Sequence, residues 1–110
     1  MLREILNEDT WIRGNTSEDN RGRFVYPDSP NATKFDVYGA LQYFYYGDNL
    51  RLAMNKFKIA YKTLYPNKYQ KAATEYYKDG KIQRTYPVYK LNDLLDDFSE
   101  LNRILVITDV

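Results

Sequence analysis

The side chains that could carry out chemistry are few, because the 110-residue chain contains neither cysteine nor histidine. These absences exclude a Cys/His zinc site, a disulfide framework, a thiol nucleophile and any triad that uses a histidine base. The three serines, Ser17, Ser29 and Ser99, have no general base nearby in the sequence. The sequence therefore assigns no catalytic residue, no metal ligand and no cofactor, and carboxylates are the remaining candidates for acid–base or metal chemistry.

Carboxylates that could bind a metal ion or transfer a proton occur in an acidic run near the end of the chain and at Asp36. The acidic run Asp93, Asp96, Asp97 and Glu100 has the oxygen ligands that Mg²⁺ or Ca²⁺ prefers, but it lacks the glycine and the alternating spacing of a calcium loop. Charges at the start of a helix explain the run more simply, and it could also mask a basic surface. Asp36 stands in an apolar segment, where burial would raise its pKa, and a structural acid is the favoured interpretation. A carboxylate- or metal-dependent enzyme remains the third functional alternative.

Basic and aromatic side chains alternate in the middle of the chain. Residues 51–90 contain ten Lys or Arg and only two Asp or Glu, although the whole chain has a formal net charge of +1. At helical spacing, Arg51, Lys58 and Lys62 form one stripe. A basic stripe interleaved with tyrosines is typical of a surface that binds single-stranded nucleic acid. A solvated helix face explains the same pattern without a ligand, and we treat nucleic-acid binding as the second functional alternative.

Two aliphatic residues on the same segment predict a protein contact. Leu52 and Ile59 are one heptad apart, and on a helical wheel they lie opposite the face predicted to be buried. Another element of the domain must cover them, or a partner does. In the second case Asn55 and Lys56 lie at the rim of an apolar centre, which is the usual anatomy of a binding surface. The partner would be another protein or a second copy of this chain.

The helix that carries these residues has the clearest periodicity in the sequence. Asp48 is the expected N-cap of a helix over residues 49–65, with seven apolar side chains inside an arc of about 120°. That arc comprises Leu50, Ala53, Met54, Phe57, Ala60, Tyr61 and Leu64. A second helix is predicted over residues 67–78. Leu101, Ile104 and Leu105 favour a helix at the end of the chain, although the composition there also suits a strand.

The other elements are predicted from turn chemistry. Ser29 and Pro30 are expected to open a helix over residues 31–46 that Gly47 closes. The Gly39–Ala40 pair inside this helix indicates close approach of a neighbouring backbone. Residues 81–91 are expected to form an edge strand that pairs with residues 23–26. The predicted fold class is α+β: one mainly helical domain over residues 1–110, with four or five helices and at most a small β-hairpin.

The order of several motifs resembles a family of uncharacterised small domains from bacteria and their phages. These motifs are Trp11 and Gly14, Asp19 and Gly22, Gly39–Ala40–Leu41, and Leu91–Asn92–Asp93 ahead of the last helix. Asp36 and Leu91 stand where that family often has Cys and Trp. The resemblance implies a fold rather than an activity. A phage-type regulator or inhibitor of a host protein is a separate expectation, which belongs to the leading functional hypothesis.

The expected setting is the cytoplasm, which would be the host cytoplasm if the protein is viral. No segment reaches the roughly 18 consecutive apolar residues of a membrane span, and the charged N-terminal stretch lacks a signal-peptide core. We therefore expect no membrane partner. The leading functional hypothesis is a small non-catalytic protein-binding module.

Overall fold

Helices make up most of the described structure, and they enclose one cluster of buried apolar side chains. The computed structural model describes residues 1–78 and 86–110. A two-stranded antiparallel sheet precedes the first α-helix, so the mainly helical α+β class is confirmed. The elements are a 3-10 turn at Leu2–Glu4, β1 (Ser17–Glu18), β2 (Lys34–Phe35), α1 (Val37–Phe44), α2 (Gly47–Leu64), α3 (Pro66–Lys78), α4 (Tyr86–Leu94) and α5 (Phe98–Thr108).

The predicted central helix is present as α2, and its apolar arc faces the core. The side chains of Phe57 and Tyr61 are completely buried. Leu50, Met54 and Leu64 are partly buried and pack against the same cluster. The helix begins at Gly47, so the predicted cap Asp48 lies in its first turn instead. Helix α3 was also predicted within two residues of its observed bounds, and α5 is a helix, the alternative that the sequence favoured over a strand.

The first long helix is shorter than the sequence suggested. The predicted helix over residues 31–46 is wrong in its first six and last two positions, and Gly47 begins α2 instead of closing α1. Helix α1 begins at Val37 and is capped by Asp36, whose carboxylate accepts a hydrogen bond from the Gly39 N–H at 2.6 Å. The preceding residues, Lys34–Phe35, form β2. Pairing in the sheet keeps Lys34 and Phe35 extended. Asp36 then caps the helix, which begins at the next residue, Val37.

The partner of β2 is β1, which lies in a polar stretch rich in turn-forming residues. Ser17 pairs with Phe35 and Glu18 with Lys34 in an antiparallel register. The predicted strand over residues 23–26 is wrong, since only Phe24 forms an isolated bridge, to Glu18. Turn-forming residues surround β1 on both sides, and a two-residue strand leaves no periodic signal in a sequence.

Close backbone approach at Gly39 was predicted and is confirmed. A Cβ atom built on Gly39 would lie 2.0 Å from the Thr16 carbonyl oxygen. The same carbonyl accepts a hydrogen bond from the Asp36 N–H at 3.1 Å. Glycine therefore lets α1 pack directly on the segment that leads into β1.

The predicted edge strand is wrong where the structure describes it. Residues Tyr86–Leu94 form helix α4, and residues 81–85 lie outside the described part of the chain. Pro87 is the second residue of α4. A proline is tolerated in the first helical turn, where its missing N–H would have no intrahelical partner. We had interpreted this proline as the mark of an edge strand.

The side chain of Asn92 on α4 joins three separate parts of the chain. Its Oδ1 accepts hydrogen bonds from the Trp11 indole N–H at 2.7 Å and from the Val37 N–H at 3.0 Å. Its Nδ2 donates to the Ile12 carbonyl at 3.1 Å. Because Asn92 is completely buried, these bonds satisfy an amide that would otherwise destabilise the core. The N-terminal segment and the start of α1 are thereby fixed against α4.

Within the described residues no helix is long and apolar enough to cross a membrane.

We predict that Gly39→Ala destabilises the protein by about 2–3 kcal/mol or more, because the new methyl group forces two backbone segments apart. Urea denaturation of both proteins measures the loss. The control is Gly47→Asn, where φ is +58° and no atom lies within 4 Å of the added Cβ. Asparagine tolerates that backbone region, so the control should lose less than about 1 kcal/mol. Equal stability of Gly39→Ala and the wild type would show that the packing of α1 is wrong.

Candidate functional site

The two aliphatic residues predicted to contact a partner are exposed. Leu52 keeps 50% and Ile59 keeps 68% of its accessible surface. Asn55 and Lys56, the predicted rim residues, are exposed beside them. Of the two alternatives that the sequence left open, the described part of the chain therefore does not supply the intramolecular cover.

Helix α5 contributes a third aliphatic side chain to the same surface. Ile107 is 62% exposed and lines a groove of about 380 Å³ together with Ile59. The rest of this groove is formed by Lys56, Ala60, Thr63, Leu64 and Thr108. We did not predict Ile107 as a site residue. Its position off the Leu101–Ile104–Leu105 arc was the available signal, but the sequence does not reveal that α5 lies beside α2.

The groove continues toward the beginning of α2. Leu52 and Lys56 line a second depression of about 370 Å³, next to Val110 at the end of the chain. The Tyr45 hydroxyl donates a hydrogen bond to the Val110 carbonyl at 2.8 Å, which holds the residues after α5 against the link between α1 and α2. We call the surface formed by Leu52, Lys56, Ile59 and Ile107 the α2–α5 face.

The α2–α5 face is bordered by the cations Lys56 and Arg103 and by one acid, Asp109. Lys56 lines both depressions, and among the described residues it forms no ion pair. Arg103 is exposed on α5 one turn before Ile107, which places both on the same side of that helix. The face therefore combines exposed branched aliphatic side chains with cationic neighbours.

The predicted basic stripe is present on α2, but its members have different environments. Arg51 pairs loosely with Asp48 at 3.8 Å. Lys62 lies over the Tyr69 ring, with the ammonium 5.6 Å from the ring centre. Lys58 is half-buried, and this burial lowers the pKa of its ammonium group. The three cations are thus not equivalent solvent-exposed contacts for a phosphate backbone.

The acidic run performs structural roles at the α4–α5 junction. Asp97 caps α5 by accepting a hydrogen bond from the Glu100 N–H at 3.0 Å. Asp96 and Glu100 pair with Lys68 of α3 at 3.1 and 3.6 Å. These are the only ion pairs of the run among the described residues, so they neutralise Lys68 and do not reach the α2 stripe. The described residues also contain no group of three potential metal ligands.

Among the carboxyl groups that the structure describes, only Asp36 has a strongly shifted pKa. Burial raises the pKa of this carboxyl to about 7, and the negative charge of Asp93 adds to the effect, while the Gly39 N–H opposes it. Its carboxylate lines a small cavity of about 210 Å³ beside Asp93 and Tyr38. Since the carboxylate caps α1, the structural role favoured from the sequence accounts for its position.

No family model, curated protein or solved structure matches the chain. The family resemblance therefore stays a prediction, and the argument for a function depends on the geometry of the chain itself.

We predict that Asp36 makes the wild-type protein less stable as the pH rises from about 4 to about 7. The folded state keeps a proton up to a pH of about 7, whereas the unfolded chain releases it near 3.8. The stabilising contribution is therefore complete below 3.8 and is lost as the pH rises through 7, by at most about 1.4 kcal/mol per pH unit. Asp36→Asn keeps a competent cap and should flatten this dependence.

Urea denaturation at several pH values between 4.5 and 7.5 checks this dependence. The lowered pKa values of Asp19 and Asp97 affect stability only below this window, because their contributions are lost as the pH falls below 3.8. The exposed Asp28→Asn serves as the control and should keep the wild-type profile. Parallel profiles for Asp36→Asn and the wild type would contradict the burial of an ionisable Asp36.

Proposed function

We propose that this protein is a small non-catalytic protein-binding module and that the α2–α5 face is its contact surface. One observation carries the proposal: Ile59 and Ile107, from two different helices, are both largely exposed and line the same groove. Large aliphatic side chains on opposite walls of one groove provide a desolvated centre when a partner inserts between them. A folded domain gains no stability from leaving them in water.

The partner that fits this face is an amphipathic helix with acidic residues along its flank. The groove is lined by residues of α2 and by the last turn of α5, and exposed aliphatic side chains on two helices suit the apolar face of a third helix. Lys56 and Arg103 would then meet carboxylates, which supports fast association and correct orientation. A second copy of this chain fits less well, since a symmetric contact through this face brings Lys56 close to its own copy.

The remaining expectations follow from the sequence. We propose that the partner is a host protein and that binding regulates or inhibits it. The proposal sets this encounter in the cytoplasm. Nucleic-acid binding through Arg51, Lys58 and Lys62 receives less support, because one of these cations is half-buried and another lies over a tyrosine ring.

We predict that the double variant Leu52→Asp with Ile59→Lys stays folded and loses its partner. Both positions are exposed, so the free energy of unfolding should change by less than about 1 kcal/mol. A charge in the apolar centre should prevent insertion of the partner helix. Thermal unfolding measures the first effect, and affinity capture from a host lysate, followed by titration of the purified partner, measures the second.

The matched control is Tyr26→Asp, which adds a charge at an exposed aromatic residue outside α2 and α5. The control should capture the same partner as the wild type, and nuclease treatment should not change the capture. Three results would overturn the proposal: a partner that the double variant retains, a partner that nuclease removes, or self-association of the wild type that the double variant abolishes. Unfolding of the double variant would instead place the pair in the core.

A further inference from the structure

A second groove lies between α1 and α2, on the other side of the ridge formed by Leu52 and Ile59. Its volume is about 600 Å³, within the range of sites for small ligands. The floor consists of Tyr38 from α1 and of Leu50 and Met54 from α2, and all three are partly buried against the core. The floor of this groove is therefore mainly apolar and is formed by two helices that also carry the core.

Two cations border this apolar floor. Arg51 and Lys58 are seven residues apart on α2, which places them on the same side of the helix and about 10 Å apart along its axis. Arg51 is exposed and has Asp48 as a loose partner. Lys58 differs, because its side chain is half-buried and, in the part of the chain that the structure describes, no acidic side chain or carbonyl oxygen accepts from its ammonium group.

An ammonium group that is partly removed from water and lacks a partner is energetically unfavourable. Burial of Lys58 lowers the pKa of its amine, which is the expected response to desolvation without a compensating anion. A negative charge placed beside the ammonium group would offset this cost. The geometry therefore combines an apolar floor with one unsatisfied positive charge at its edge.

We propose that the α1–α2 groove binds an amphiphilic anion, with its apolar part on Tyr38, Leu50 and Met54 and its carboxylate on Lys58. Arg51 provides a second positive charge at the far end of the groove. The occupant that fits is a free aryl- or alkylcarboxylate, because the groove has the volume of a small-ligand site. This site does not depend on the α2–α5 face, and each proposal can fail without the other.

The probe pair for the test is 3-phenylpropionate and its neutral amide, 3-phenylpropanamide. Titration is followed by NMR through the Met54 methyl group, which reports binding at the floor of the groove. We expect the wild type to bind the acid about tenfold more tightly than the amide, because a hydrogen bond to a charged group contributes that much or more. A peptide with adjacent Phe and Glu, compared with its Phe and Gln counterpart, forms the second arm.

The decisive variant is Lys58→Met, which keeps a similar side-chain length and removes the charge. It should weaken binding of the acid about tenfold and abolish the preference for the acid over the amide. Removal of an unpartnered, half-buried charge should not lower the melting temperature, so loss of binding can be separated from unfolding. The matched control is Lys62→Met one turn further along α2, which should bind the acid within about twofold of the wild type.

The outcomes separate the two possible sources of the anion. Binding of the small acid in preference to its amide supports the proposal, whereas binding of the acidic peptide alone would overturn it in favour of a protein segment. The proposal is overturned if neither probe shifts the Met54 methyl resonance at a concentration of about 10 mM. This concentration is high enough to detect the weak affinity of a small fragment. It is also overturned if the acid and the amide bind equally, or if Lys58→Met binds the acid as tightly as the wild type. The double variant of Leu52 and Ile59 should retain this binding.

Discussion

The buried arc of α2 is the constraint on which the rest of the structure depends. Helix α2 packs against each of the other four α-helices, and Phe57 and Tyr61 are completely buried at the centre of these contacts. An 18-residue helix that commits one face to the core must leave the opposite face for solvent or for a partner. In this protein that opposite face carries Leu52 and Ile59, so the same amphipathic pattern defines both the core and the proposed contact surface.

Helices with strong local periodicity could be predicted from the sequence, whereas elements defined by distant contacts could not. The spacing of apolar residues that indicates a helix lies entirely within α2 and within α3, and both helices were predicted. The start of α1 depends on the pairing of Lys34–Phe35 with Ser17–Glu18, which the local sequence does not reveal. Helix α4 was missed because Pro87 suits both an edge strand and a first helical turn. The Asn92 hydrogen bonds connect residues that are 55 to 81 positions apart.

The candidate surfaces, like the fold, could be predicted only in part from the sequence. A helical wheel places Leu52 and Ile59 opposite the core, and their exposure agrees with that placement. Ile107 was missed because its role requires α5 to lie beside α2. Lys58 was predicted as one cation in a uniform stripe, but it is half-buried at the edge of a groove that Tyr38 of α1 also lines. Tertiary packing thus turned one predicted helix face into two different grooves, one with aliphatic walls and one with an unpartnered cation.

Methyl NMR of the isoleucine side chains tests the central claim most directly. The partner captured by the wild type would be added to protein labelled at its isoleucine methyl groups. The account predicts that the resonances of Ile59 and Ile107 change most, because both methyl groups become desolvated in the shared groove. The buried Ile104 provides an internal reference on the same helix as Ile107 and should change little. Large changes at Ile5 or Ile12, with unchanged Ile59 and Ile107, would contradict binding through the α2–α5 face.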